Sequence, residues 1–202
     1  PMTLRLHSSR VLLGTGATSL RFARATVTLD GTRIAAVEEG PPPGEVAVTD
    51  LGSKALLPAF VNAHTHIAMS GYRGIASDTT LSGNVIESLY FAVESHLQPG
   101  DVRAFARMGA WESLFGGVGC VWDHYYAGAE VAEALRDVGL CGVVAPTLQD
   151  LSGPGVASRR SQLDATVAID EDARLAALGI HAALGPHATD TVSTELWREA
   201  AD

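Results

Sequence analysis

From Ala55 onward the sequence alternates short apolar runs with stretches of helical spacing, and this alternation limits the available folds more than any other feature. The apolar runs are "ALLPAFVNAHTH", "VGCVWDHYY", "LCGVVAPTL" and "IHAALGPH". Helical patterns lie near Asn84 to His96, in "DVRAFARMGAWESLFGG", in "AEVAEALRDVG" and near Ser158 to Leu178, and a last helix begins near Ser193. Strand–helix units in series, joined by short loops, build a parallel sheet with helical crossovers. The unbroken apolar character of the first run is that of a strand covered on both faces. Asp101 reads as the N-cap of the second helix, and Gly116-Gly117 as its stop.

The first 55 residues read as β-structure. "ATVTLDGTRIAAVEEG" alternates around Asp30-Gly31, a hairpin signal because glycine tolerates the positive φ that tight turns need. "PPPGEV" at 41–46 reads as a loop and "EVAVTDLG" as another short strand. Gly14 and Gly16 form a GxG with neither the third glycine nor the helix of a dinucleotide site.

Charge excludes some functions. The net charge is −9, and the basic residues, all arginine except Lys54, are scattered with Arg159-Arg160 as the one adjacent pair. Nucleic-acid binding needs a basic stripe, so it is not expected. No apolar run reaches the ~18 residues of a membrane span. The opening "PMTLRLHSSRVLLG" lacks the pattern of a secretory leader, which makes the cytoplasm the default location. Cys120 and Cys141 lie in apolar runs and read as buried free thiols.

The chemistry gathers at the strand ends. Side chains two apart on a strand point the same way, so His64 and His66 leave the first run in one direction, and two imidazoles can converge on one divalent ion. His187 ends the fourth run in "LGPHATD"; it reads either as a loop cap or as a site group, and its strand-end place favours the site. Asp123 and His124 end the second run on opposite sides of the strand, so at most one of them faces a site at this edge. His7, His96 and His181 read as ordinary structural or surface histidines. Glu94, Asp101, Glu130 and Glu133 have the spacing of solvated helix faces. No residue of the chain is assigned as catalytic acid, base or nucleophile, and no GxSxG elbow, phosphate loop or CxxC occurs.

Together "LLPAFVNAHTHIAMSGYRGIASD" (56–78), "GGVGCVWDHYY" (116–126) and "LGPHATDTVS" (184–193) resemble the aminohydrolase branch of the amidohydrolase superfamily, which includes adenosine-type and S-adenosylhomocysteine-type deaminases and triazine hydrolases. The resemblance implies an α/β fold, the first half of a (β/α)8 TIM-type barrel preceded by part of a small β-sandwich. The sandwich portion is expected at 1–55, and the first four βα units at 56–202. It implies His64 and His66 as metal ligands, His187 as a substrate contact, and one divalent ion, zinc with iron as the alternative. The implied activity is metal-dependent hydrolytic deamination of a purine, pyrimidine, nucleoside or triazine-like ring. The alternatives are a catalytically incomplete fragment and a cyclic amide hydrolase of the same superfamily.

In that family a third metal histidine and a glutamate three residues later come from the fifth strand, another histidine from the sixth, and a metal-binding aspartate from the eighth. Residues 1–202 stop short of all four. The implied partners are a small-molecule substrate and either a second copy or the missing C-terminal half. The chain departs from the pattern at Thr189-Asp190, where family members carry Pro-Tyr, and in lacking a tryptophan around Asn84.

Overall fold

The computed structural model describes residues 3–14, 16, 19–42, 44, 47–76 and 83–201. The expected loop at 41–46 and the end of the first motif at Ser77-Asp78 fall partly outside these. The chain forms two compact units, Pro1–Pro58 and Ala59–Asp202.

The first unit is one sheet. β1 (Thr3–Leu13) pairs antiparallel with β2 (Arg21–Asp30), which pairs antiparallel with β3 (Arg33–Glu39). The hairpin between β2 and β3 turns on Gly31-Thr32, one residue later than the sequence suggested, because Asp30 is itself paired with Arg33; Gly31 supplies a φ of 58°. Short strands β4 (Thr49–Asp50) and β5 (Ala55–Leu56) run parallel to β1. Val11, Ala25 and Val27 form the buried core of this unit, with Leu13, Leu29 and Leu56 against them.

The second unit is a parallel sheet with helical crossovers. Its strands are β6 (Phe60–Thr65), β7 (Val118–Tyr125), β8 (Cys141–Leu148), and a fourth position filled by two short segments, β9 (Ile180–Ala182) and β10 (Gly185–Pro186), that both pair with β8. After β6 come a 3-10 turn (Ile67–Tyr72), a π-helical segment (Ile86–Phe91) running into α1 (Ala92–Glu94), and α2 (Pro99–Phe115). α3 (Gly128–Val138) joins β7 to β8, and α4 (Arg159–Glu171) with α5 (Ala173–Ala176) joins β8 to β9. α6 (Thr194–Ala201) follows β10.

Several elements differ in detail from the sequence reading. The first apolar run is two strands in two units, β5 and β6, separated by Leu57–Ala59. α2 begins at Pro99 with Gln98 as N-cap, and Asp101 is the third helical residue, its carboxylate accepting from the Gln98 N–H to complete a capping box. The helix expected near Ser158 to Leu178 breaks at Asp172, whose extended backbone ends α4 and whose side chain caps α5 by accepting from the Arg174 N–H.

The two faces of the parallel sheet are packed very differently. Val121, Tyr125 and Val144 point to the helix side and are buried with Val131 and Leu135 of α3 and Val102 and Ala106 of α2. The opposite face carries Cys120, Trp122 and His124 of β7, and Trp122 remains 49% exposed. Phe60 and Val61 on the edge strand are 63% and 67% exposed, so the first apolar run is not covered on both faces as its composition suggested. Among the described residues, β6 pairs on one edge, with β7.

Candidate active site at the strand ends

The carboxyl ends of three of the four strand positions, β6, β7 and β10, bring His64, His66, His124 and His187 together in the second unit. Their ring centroids form a row: 5.0 Å from His64 to His66, 6.0 Å from His66 to His124, and 5.7 Å from His124 to His187. Parallel pairing sets this row, since Thr65 is registered with Asp123, and Pro186 with Leu148.

The main chain and a buried carboxylate hold His66 and the residue after it. His66 Nδ1 lies 2.5 Å from the carbonyl oxygen of His124. A carbonyl only accepts, so Nδ1 carries the proton and Nε2 keeps its lone pair. That is the tautomer of a metal-ligating histidine whose other nitrogen is tied to the backbone. The next residue is also held: the Ile67 N–H donates to Asp123 Oδ2 at 2.6 Å. Helix α2 comes close enough to this turn that a Cβ on Gly109 would lie 2.3 Å from the Ile67 carbonyl oxygen, which explains a glycine in mid-helix. His64 is exposed, and its N–H donates to Asn62 Oδ1.

Alternation along β7 resolves the question that the sequence left open. Asp123 points to the helix side and is fully buried, and His124 points to the strand-end cavity. Burial pushes the Asp123 carboxyl up to about 7 against the opposing pull of the Ile67 N–H. Its Oδ1, and the Nε2 of His124, are buried without a hydrogen-bond partner among the described residues. Burial brings His124 down to about 4, with the positive forms of His187, His66 and His64 adding to the effect. Burial also lowers His66, opposed by the His124 carbonyl, and lowers His187, opposed by Asp190.

The cavity beside these rings has a volume of about 170 Å³ and is lined by His66, Tyr90, Phe91, Glu94, His124 and His187 among others. The Phe91 ring lies 5.9 Å from that of His187. His187 Nδ1 is hydrogen-bonded to Thr191 Oγ1 at 2.9 Å, so the ring is anchored from behind. A wider hollow of about 380 Å³ also touches His66 and runs past Tyr72 and Arg73 to Glu112.

Glu94 is a site residue that sequence reasoning placed on a solvated face. It lines the cavity, and Tyr72 donates to its Oε1 at 2.9 Å while sharing a 2.8 Å hydrogen bond with Tyr125. Burial raises the Glu94 carboxyl, with hydrogen bonds from Tyr72, Tyr125 and Tyr126 acting against it. The π-helical segment just before Glu94 shifts the helical phase by hydrogen-bonding one residue further along. The adjacent tyrosines in "DHYY" were the signal that polar partners for a buried carboxylate were at hand.

The remaining histidines are not members of this row. His7 is buried in the first unit, where its Nε2 accepts from Arg24 and its Nδ1 donates to Thr26 Oγ1. His96 is an exposed helix-end residue bonded to the Ala92 carbonyl, and His181 is exposed on β9. Among the described residues, no group of three or more His, Cys, Asp or Glu side chains is placed to hold a metal ion, and no helix is long and apolar enough to cross a membrane. His64 and His66 therefore form a two-imidazole set with the right free nitrogen on His66.

A parallel βα sheet with histidines at its carboxyl edge defines a class, and residues 55–202 match the model of the amidohydrolase family: the chain belongs to that family. It is 32% identical over 176 residues to a 5'-deoxyadenosine deaminase of Methanothrix thermoacetophila, covering 87% of this chain and 40% of the relative. Among solved structures it is similar to an adenosine deaminase from Xanthomonas campestris with bound zinc (TM-score 0.75, 20% identity, 98% of this chain and 46% of that one). It is also similar to a triazine hydrolase from Arthrobacter aurescens (TM-score 0.78, 18% identity, 98% and 49%). The chain spans less than half the length of each of these proteins. The fold is thus the N-terminal half of an amidohydrolase TIM-type barrel.

Proposed function

We propose that this chain supplies the metal- and substrate-binding first half of a hydrolase that deaminates a nitrogen heterocycle. The observation that carries the proposal is the His66 Nδ1–His124 carbonyl hydrogen bond, which leaves His66 Nε2 free next to His64. Deaminases among the relatives, and zinc in a structural neighbour, support the same reading. A single divalent ion such as zinc, held by His64 and His66 with further ligands from outside residues 1–202, would lower the pKa of water toward ~7 and supply Lewis acidity.

The chain's own residues have separable roles. Asp123 holds the Ile67 N–H and so fixes the turn that orients His66. His187, braced by Thr191, contacts the substrate ring, and Phe91 provides an apolar surface beside it. Glu94, with its tyrosine partners, presents a polar group at the far side of the cavity. The proton shuttle comes from the complementary half of the barrel, which also covers Trp122, Phe60 and Val61. The catalytically incomplete reading therefore applies to residues 1–202 by themselves: they are expected to bind zinc weakly and to release no ammonia.

The test is ammonia release from 5'-deoxyadenosine, S-adenosylhomocysteine and melamine, by the zinc-loaded chain and by any longer polypeptide that contains it. Turnover by the longer protein, abolished by chelation and restored by zinc, is expected. A zinc-loaded longer protein that releases ammonia from none of a panel of ring substrates would contradict deamination.

A further inference from the structure

We propose that His124 is a direct substrate-binding residue that, with His187, forms a two-point contact along one edge of a planar, uncharged nitrogen heterocycle. The inference rests on the deaminase reading for the kind of ligand, and on geometry for the residue.

Three observations converge on this side chain. First, the His124 ring lies between those of His66 and His187, at 6.0 and 5.7 Å, and lines the same cavity of about 170 Å³. Second, its Nε2 is buried and has no hydrogen-bond partner among the described residues. A buried imidazole nitrogen is normally paired, and the exceptions need a reason. Third, the structural task at this position belongs to the main chain: the carbonyl of residue 124 receives the His66 Nδ1–H, and any amino acid would provide it. An imidazole is therefore not required by the fold, and its free nitrogen is left for whatever fills the cavity.

The cavity's other features select the ligand. The aromatic rings of Tyr90 and Phe91 come from the π-helical segment, a distortion found frequently at functional sites. Phe91 is 5.9 Å from His187, so a flat ring at the two imidazoles has an apolar surface beside it. A heterocycle with a ring nitrogen and an exocyclic amine on its edge offers both an acceptor and a donor, matching His124 Nε2 and the His187 nitrogen not held by Thr191, each of which donates or accepts according to its tautomer. An aliphatic ligand without polar edge groups would leave this pairing unused.

The experiment uses zinc-loaded protein, as the chain and as any longer polypeptide containing it, with 5'-deoxyadenosine and melamine as probes. Nitrogen NMR of histidine-labelled protein is expected to show the His124 Nε2 resonance move on addition of at least one probe. Steady-state kinetics of His124→Leu should show kcat/KM lower by roughly tenfold, chiefly through KM, with zinc content unchanged. His124→Gln, which returns a polar amide at this depth, should recover most of that loss. An unmoved His124 Nε2 at millimolar concentrations of both probes overturns the inference, as does a His124→Leu enzyme with kcat/KM within twofold of wild type. Wild-type protein that shifts His124 on binding but releases no ammonia would count against the deaminase reading and in favour of this one.

Discussion

His7 in the sheet of the first unit is buried and His124 at the strand ends is half-buried, and a second difference separates structure from function. Both nitrogens of His7 are used, one by Arg24 and the other by Thr26. His124 has an Nε2 with no protein partner among the described residues, and it faces a cavity shared with three other site groups. A satisfied buried histidine stabilises its fold; one left unsatisfied beside a cavity raises the energy of the empty site and lowers it when a ligand arrives. Residue type does not distinguish the two and burial does so only in degree, whereas the hydrogen-bond inventory does.

The largest expected effect that sharpens this contrast is at the first pair. His64→Ala or His66→Ala should reduce zinc-dependent ammonia release by more than the ~10–100-fold that loss of an outer-shell partner costs, read as kcat/KM on the active polypeptide. Next comes Asp123, which touches the backbone and not the ion. Asp123→Ala should weaken zinc affinity ~10–100-fold in competition titrations, and Asp123→Asn, which still accepts from Ile67, should restore most of it.

The third prediction pairs the two histidines directly. His7→Ala should lose about 1–3 kcal/mol of stability by denaturant unfolding and leave the KM for a ring substrate unchanged. His124→Leu should lose no stability, or gain ~1 kcal/mol, while raising KM. The opposite pattern, a destabilised His124→Leu with unaltered KM, would erase the distinction.

The smallest effect concerns Glu94 and pH. Its folded-state pKa is raised by burial, so the protonated form is favoured in the fold, and the stability it contributes is present at low pH and declines as pH rises from the ordinary 4.5 through the raised value. Glu94→Gln removes that decline. The variant's Tm should exceed wild type by about 2 °C at neutral pH, and the difference should vanish below pH 4.5. A larger gap at acid pH than at neutral pH would mean that Glu94 is held charged.

Much of this arrangement was legible in the residues. The βα alternation after Ala55 and the spacing of His64 and His66 are local patterns, and both survive folding because strand period and helical spacing are set by backbone geometry. What was not legible depends on phase and on distant chain. Alternation says that Asp123 and His124 face opposite sides, but which side is the helix side is decided by Val121 and Tyr125 packing on α2 and α3. Glu94 was misplaced because a π-helical segment, invisible in a 3.6-residue pattern, rotates the face that follows it. The apolar first run suggested a strand covered on both faces. Phe60 and Val61 are exposed on β6, which among the described residues pairs with β7 on one edge.

The central claim is that His64 and His66 are two ligands of one ion. Zinc K-edge X-ray absorption on the zinc-loaded polypeptide tests it most directly. Wild type should show at least two imidazole scatterers at about 2.0–2.1 Å, and His64→Ala/His66→Ala should lose two of them, as the Zn–N distances of histidine ligands require. A first coordination shell unchanged in the double variant would contradict the assignment.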